Sequence, residues 1–340
     1  MAKIKISELE QTIHQLLHAA GLNEDNASIA TEVFMRATLR GVGHHDVYDL
    51  PGRLEGLSKG KIKANPEMVL IHKYAALENY EGDNGLGELG GMFIMKRAQQ
   101  LADEHGIGLC AIRNSNHLLS STPYLEQPAE EGYISYIITR GAPTMGAPGR
   151  KEKVIGTSPM GYAIPTNRDY PIMFDACLAY ASNGVLSDKT RAGEEVPSHW
   201  GLDVDGKPTT SPGLISKGTR LPIGGHKGFG LTLFGEVITG ILAEGQIIDE
   251  PQPGSGLVGI PSHTAICIKA GGLLGQREFT HKTTEILERM EARASGLQIP
   301  GQHSYQRKAK LLSEETIDLT ANLLDKLNEW AQKFNLKTLE

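Results

Sequence analysis

The chain has 340 residues, of which 39% are hydrophobic and 22% charged, with a net charge of −6. That length and balance fit a folded α/β protein large enough for two domains. An acidic surface excludes nucleic acid as the expected partner, and no run of about 18 apolar residues is present to span a membrane.

In chain order, Ser7 and Glu10 read as a capping box that opens a helix, with Leu9, Ile13, Leu16, Leu17 and Ala20 on one face and Gly21 as its end. Asn23 or Asp25 opens a second helix, with Ala30, Val33, Phe34 and Ala37 inward and an end near Gly41. Strands are expected over Met68–Ile71 and Ala75–Tyr80, a helix over Met92–His105, and a strand over Gly108–Ile112. A helix ends at Pro128–Glu131, and further strands follow over Ile134–Thr139, Tyr162–Pro165, Ile172–Asp175 and Ala265–Ile268. Residues 186–221 are rich in Gly, Pro, Ser and Thr and are expected to be mostly loop. Ser313 opens a long final helix with Ile317, Leu324, Leu327 and Ala331 as its stripe. The alternation predicts an α/β core with helices on both faces of a sheet. The expected organisation is a helical region formed by residues 1–75 with 285–340, around an α/β cofactor-binding core over 76–284.

Three cysteines, Cys110, Cys177 and Cys267, lie in apolar strand-like runs and lack the paired spacing of a zinc site. Buried reduced thiols are expected. The opening MAKIKISELEQ has no apolar signal core, so a cytoplasmic location is expected.

The segment Leu221–Leu231 (LPIGGHKGFGL) places four glycines around a His-Lys pair, ahead of an apolar helical run. Such a loop lets the backbone approach an anion at a helix N-terminus, and Lys227 adds a charge there; an ordinary turn before a core helix is the alternative. Gly85–Gly90 matches G-x-G-x-x-G, but the next strand ends in Arg113-Asn114-Ser115-Asn116, without the acid of a Rossmann fingerprint. His117 follows that strand, where α/β sheets collect ligands, and suits proton transfer; a surface-loop histidine is the alternative. Gly156-Thr157-Ser158-Pro159 offers hydroxyls in a tight turn, and Asp175 is either a ligand to a ribose or amide or the cap of a helix from Ala176. His44-His45-Asp46 are adjacent, so their side chains diverge and no metal is expected on them.

The order G-H-H-D-V, D-N-G-L-G, R-N-S-N-H, G-T-S-P with A-I-P-T, F-D-A, P-x-G-G-H-K-G-F-G-L and P-G-Q, from about Leu9 to Gln302, resembles the malate/L-lactate dehydrogenase family. That non-Rossmann group includes malate, sulfolactate, ureidoglycolate and diketogulonate dehydrogenases and cyclic-imine reductases. The resemblance implies its distinctive α/β fold, with a mixed sheet, helices on both faces and a helical region from the two termini. It also implies a homodimer, a small-molecule substrate and hydride transfer with NAD or NADP. It places His45 at the family's catalytic histidine and His117 at the second active-site histidine. Thr157, Ser158 and Pro159 fall on the turn near the nicotinamide. Asp175, Ala176, Cys177, His226, Lys227, Gly228, Pro300, Gly301 and Gln302 fall on cofactor positions.

The departures define an atypical substrate pocket. The family's Ser is His44 here, its Gly is Asp46, and its substrate-side Arg is Asp49. The Asn of G-T-N-P is Ser158, the F-G after the N-x-x-H histidine is Leu118-Leu119, and a T-N-S turn is Thr139-Arg140-Gly141. An Arg fork grips a carboxylate through both oxygens, whereas an Asp repels one. Two expectations follow. Arg140 or Arg53 takes over the carboxylate; or His44, Asp46 and Asp49 recognise a cationic or polyhydroxylated substrate. The leading function is a 2-hydroxyacid dehydrogenase acting on a 2-keto acid or related ketone. The alternatives are a cyclic-imine reductase of the same fold, a cofactor-binding protein without turnover, and a metal-dependent hydrolase on His44-His45-Asp46.

Overall fold

The computed structural model describes residues 1–247 and 261–340. Strand β1 (Ala2–Lys5) leads into α1 (Ile6–Ala19), α2 (Glu24–Arg40), a 3-10 turn (Val47–Asp49) and α3 (Leu50–Ser58). The chain continues through β2 (Val69–Tyr74), β3 (Leu77–Glu81), α4 (Gly87–His105), β4 (Ile107–Arg113), α5 (Thr122–Glu130) and β5 (Tyr133–Thr139). Next come β6 (Met145–Gly146), β7 (Lys153–Ile155), β8 (Met160–Ile164), β9 (Ile172–Ala176), α6 (Asn183–Ala192), β10 (Gly201–Leu202), α7 (Pro212–Lys217) and β11 (Thr219–Arg220). Helix α8 (His226–Glu236) runs on into a π turn (Val237–Ile241). The chain closes with β12 (His263–Lys269), α9 (Gly271–Leu274), α10 (Gln276–Arg293), α11 (Gln302–Glu314), β13 (Thr316–Leu319) and α12 (Ala321–Lys333).

Seven strands form the main sheet in the order β2-β3-β4-β12-β5-β8-β9. The β3–β4 pair is parallel and the other neighbours are antiparallel. Strand β12 is apolar throughout its centre because it lies between β4 and β5, with Ala265 opposite both Cys110 and Ile137. Alternate β12 residues serve the two layers. Cys267 meets Met95 of α4 on one face, and the Thr264 hydroxyl donates to the carbonyl of Ile238 on the other. Helices thus cover both faces, α4 and α5 on one and α8 with its π turn on the other. Gly108 has no alternative residue, since a Cβ there would lie 2.2 Å from the Ala98 carbonyl of α4.

The sheet register decides where the site lies. The C-terminal ends of β4, β5 and β9 and the start of β8 all reach the same edge of the sheet, as the pairings His263–Ile112, His263–Thr139, Ile138–Met160 and Met160–Ala176 require. The segments 113–121, 140–144, 157–159 and 175–182 therefore converge although they are far apart in sequence.

Several sequence expectations are corrected at the termini and in the middle. Ser7 does not cap α1, whose N-cap is Lys5, because β1 pairs with β13 and runs straight into the helix. The expected long helix from Ser313 is instead the end of α11, the strand β13 containing Ile317, and α12 capped by Thr320. Residues 186–221 are not mostly loop: they carry most of α6, all of α7 and the strands β10 and β11. Asn23 does cap α2 and Gly41 ends it in a left-handed conformation, as their residue types require. The expected domain boundary at 75/76 falls in the turn of the β2–β3 hairpin and so divides two hydrogen-bonded strands.

Candidate active site

His45 and His117 come together with ring centroids 4.8 Å apart. His45 sits in the turn after α2, and Asp49 lies four residues on, at the end of the 3-10 turn. One turn of backbone therefore puts the Asp49 carboxylate 3.3 Å from Nδ1 of His45. Nδ1–H donates to the carboxylate, which leaves Nε2 as the free atom of the ring. Burial pushes the Asp49 carboxyl up, but the His45 hydrogen bond and the Arg53 charge outweigh it and hold the group below the usual range. Asp49 therefore stays ionised.

His117 is oriented from the other side. Its Nδ1 accepts from the Leu119 N–H at 3.1 Å and lies 3.3 Å from Nη2 of Arg53. The same guanidinium nitrogen donates to the His117 carbonyl at 2.9 Å, and Arg53 Nε donates to the fully buried Glu88 at 2.9 Å. With two donors on Nδ1, the proton of the neutral ring is on Nε2. Burial, then the charges of Arg53 and His45, hold the His117 imidazole well below its ordinary value, so it is neutral at neutral pH. Leu119 reaches this geometry with a φ of 66°, the left-handed region that a glycine occupies without strain. The backbone thus has the conformation suited to the Gly of the F-G dipeptide that the resemblance led us to expect.

These groups open into a cavity of about 880 Å³ lined also by His44, Arg140, Thr157, Pro159, Asp175, Ala176, Cys177, Ser182, Asn183 and Arg220. Its size is that of a small-molecule or cofactor site. His44 lies over the start of α6, with Nε2 3.3 Å from the Ser182 hydroxyl; a Cβ at Gly184 would lie 2.1 Å from its ring. Arg140 is buried, donates to Glu236 at 2.8 Å through Nε, and leaves Nη1 without a partner. Asp175 accepts from the Ser121 N–H at 3.2 Å, so the helix it caps is α5, not one beginning at Ala176. Burial raises its carboxyl.

Not every expected residue reaches the cavity. Asp46 faces inward, 3% exposed, and its carboxylate accepts from the N–H groups of Gly43 and Tyr48; burial pushes it up to about 6. It is a structural cap in this position. Ser158 is buried beneath Gly235 of α8, with no partner for its hydroxyl and a φ of 36°, a region in which Asn is more at ease than Ser. His226 and Lys227 are exposed on the first turn of α8, just beyond the cavity residue Ile223, and Gly228 packs on the Ile223 carbonyl, 2.3 Å from where a Cβ would lie. Pro300 and Gly301 line a second cavity of about 460 Å³, which shares Val42 and Asp175 with the larger one. Gln302 turns back to accept from the Ile299 N–H.

Among the described residues, His45, Asp49 and His117 are close enough together to hold a metal ion. The Arg53 guanidinium beside His117 puts a positive charge where that ion would sit. Of the adjacent trio, Asp46 turns inward, but the His44 and His45 rings meet edge to face with centroids 4.3 Å apart, so these two side chains do not diverge. The glycines of G-x-G-x-x-G are packed: Cβ atoms at Gly87 and Gly90 would meet the Asn116 carbonyl and the Ser115 hydroxyl at 2.1 and 2.7 Å. No pyrophosphate fits there.

Two contributors escaped sequence reading. His263 is fully buried and neutral, its ring pushed down to about 4 by burial; it donates from Nε2 to the Asn116 carbonyl and meets the Thr139 hydroxyl at 2.7 Å through Nδ1. It ties the 114–117 loop to the end of β5, and its signal was a lone imidazole opening an apolar strand. Arg220, on β11 in a stretch read as loop, is the other.

The family model for malate/L-lactate dehydrogenase matches residues 4–328. The chain belongs to the malate/L-lactate dehydrogenase family. It is 35% identical to 2,3-diketo-L-gulonate reductase of Salmonella schwarzengrund (strain CVM19633) over 250 residues, 73% of this chain and 74% of that protein. The sulfolactate dehydrogenase of Methanocaldococcus jannaschii superposes with a TM-score of 0.90 at 28% identity, covering 99% of this chain and 98% of that one. The delta1-piperideine-2-carboxylate reductase of Pseudomonas syringae shares the fold, with a TM-score of 0.89 at 23% identity over 97% of this chain and all (100%) of that one. The chain is thus a dehydrogenase or reductase of the 2-hydroxyacid type, with the mixed α/β fold of that family.

Proposed function

We propose that the chain reduces a 2-keto acid or related ketone to the hydroxy acid, with His45 as the proton donor and NAD(P)H as the reductant. The observation that carries this reading is the His45–His117 pair at 4.8 Å, with Nδ1 of each ring already engaged and both Nε2 atoms left for substrate. The cavity fits a dinucleotide with a small anionic substrate in volume and in its buried, unsatisfied donors on Arg220 and Arg140. Thr157, Pro159, Asp175, Ala176 and Cys177 are the lining residues proposed to surround it, with His226, Lys227, Gly228, Pro300 and Gly301 at its margin. A bound reduced nicotinamide supplies a hydride.

The protein's own part is the proton. Nε2 of protonated His45 delivers it to the carbonyl oxygen, while Asp49 holds the ring and offsets its charge. The neutral His117 donates from Nε2–H to the same oxygen and cannot compete for the proton. Arg140 grips the carboxylate, since Asp49 is committed to His45 and Arg53 to Glu88 and His117. In oxidation His45 is the base.

Reduction of a cyclic imine carrying a carboxylate is the second reading, favoured by the ionised Asp49, which suits an iminium nitrogen. The apolar outer face of α8 and its π turn, with Leu231, Leu233, Phe234, Ile241 and Leu242 all about half exposed or more, supports a homodimer closed on this face. Among the described residues no helix is long and apolar enough to cross a membrane, and three free cysteines suit the reducing cytoplasm proposed as its location.

The test is a screen of 2-keto acids and cyclic imines with NADH and NADPH. Turnover of a keto acid, with KM raised at least about tenfold in Arg140→Ala, is the expected result. Turnover of imines alone selects the second reading. Absence of dinucleotide binding sinks both.

A further inference from the structure

Three arginines line the large cavity, Arg140 and Arg220 buried and Arg53 partly so, and they differ in one respect. Arg53 is paired with Glu88 and Arg140 with Glu236. Arg220 is 5% exposed, and among the described residues no carboxylate lies within ion-pair distance of it. Its Nη1 donates to the Thr144 hydroxyl at 2.9 Å and its Nη2 donates to the Asn183 side-chain carbonyl, while Nε has no partner. Both partners are neutral.

A buried guanidinium without a counter-ion is costly, and burial does push its proton affinity down. Such a group persists where a ligand supplies the missing charge. Asn183 is the first residue of α6, a ten-residue helix whose N-cap Ser182 and first residue both line the cavity. Its amide dipoles add positive potential beside the guanidinium. The carboxylates lining the same cavity are engaged elsewhere, Asp49 by His45, Glu55 by Lys59 and Asp175 by the Ser121 N–H.

We propose that Arg220 and the N-terminus of α6 form an anion site that takes a planar or tetrahedral oxyanion of the bound ligand. Two sources have this chemistry: a phosphate of the dinucleotide, and a second carboxylate of the substrate, distinct from the one assigned to Arg140. The inference rests on the proposed function for the identity of these ligands. Arg220 would then be a specificity-determining residue, and His45 and His117 would be untouched by its loss.

Full-length wild type, Arg220→Gln and Arg220→Lys are compared in four binding measurements: NADH and NADPH by fluorescence titration, and pyrophosphate and oxalate by thermal shift. The expected result is a Kd at least about tenfold weaker in Arg220→Gln, with partial recovery in Arg220→Lys. Weakening towards the dinucleotides and pyrophosphate assigns the phosphate; weakening towards oxalate alone assigns the carboxylate. Unliganded Arg220→Gln should be at least as stable as wild type, because an uncompensated charge is removed. Unchanged binding of all four probes overturns the proposal, as does a fall in unliganded stability with unchanged affinity. If wild type binds neither dinucleotide, the functional reading fails by itself, and pyrophosphate and oxalate still decide the anion site.

Discussion

Arg53 reaches both the ring and the backbone of His117, with Nη2 3.3 Å from Nδ1 and 2.9 Å from the carbonyl oxygen. One guanidinium therefore fixes the rotamer, the tautomer and the loop position of the imidazole proposed for the active site, while its Nε pairs with Glu88 at the start of α4. Stability and site geometry share this residue. Arg53→Met leaves Glu88 buried without its cation, and the expected loss is about 3–5 kcal/mol in urea unfolding. A loss under about 1 kcal/mol would show that the pair is not the anchor described here.

His117 is neutral at pH 6.5 and above, because burial and the Arg53 charge both oppose its protonation. Since the folded form resists a proton that the unfolded chain accepts, this group's contribution to stability is present above 6.5 and is lost as pH falls below it. In catalysis it contributes no acid limb near that value. Arg53 and the Leu119 N–H favour a ring that donates from Nε2, a role the Gln side chain partly reproduces. His117→Gln should lower kcat yet leave the shape of the kcat/KM profile unchanged from pH 6.5 upward; an acid limb that vanishes in the variant contradicts the assignment.

Asp49→Asn keeps the size of the side chain and removes the charge that orients and offsets His45. The expected loss in kcat is about 10²-fold, within the range for general acid–base catalysis, with dinucleotide affinity nearly unchanged. Equal losses in kcat and in dinucleotide binding would place Asp49 in the cofactor site instead.

Glu78 lies away from the cavity and reports on the fold. Hydrogen bonds from Arg97, and secondarily from Tyr80 and Lys73, hold its carboxyl down at about 2 against a burial cost. A depressed carboxyl stabilises the protein above its unfolded value, 4.5, and loses that effect as pH falls towards 2. Glu78→Gln should therefore cost on the order of 2–4 kcal/mol at neutral pH, and the gap to wild type should close between those two values. A gap independent of pH would mean that packing, not charge, is what the substitution removes.

Phe234→Asp places a charge on the exposed apolar face of α8, where Phe234 is 52% exposed. Light scattering should show wild type at twice the mass of the variant. Equal masses would remove α8 from the proposed dimer interface.

How much of this was legible in the sequence depended on the distance over which each signal acts. Asn23 and Gly41 announced the ends of α2 because a cap is decided within four residues. Ser7 misled for the same reason reversed: its partner in the decision is β13, more than 300 residues away, and pairing with that strand fixes where α1 begins. The last helix failed likewise, since an apolar stripe cannot reveal that Ile317 pairs with Ile4.

The sequence by itself determined the helices and strands of the core and the family, and it singled out the two histidines that the fold brings together, because residue type, period and motif are local properties. Tertiary structure alone decided which neighbours act. It turned Asp46 inward as a cap, gave Asp49 to His45 and Arg53 to His117, placed His263 behind the loop, and left Arg220 in the cavity wall with no carboxylate partner among the described residues. Those outcomes follow from strand register and burial, which bring together charges from segments that no local pattern connects.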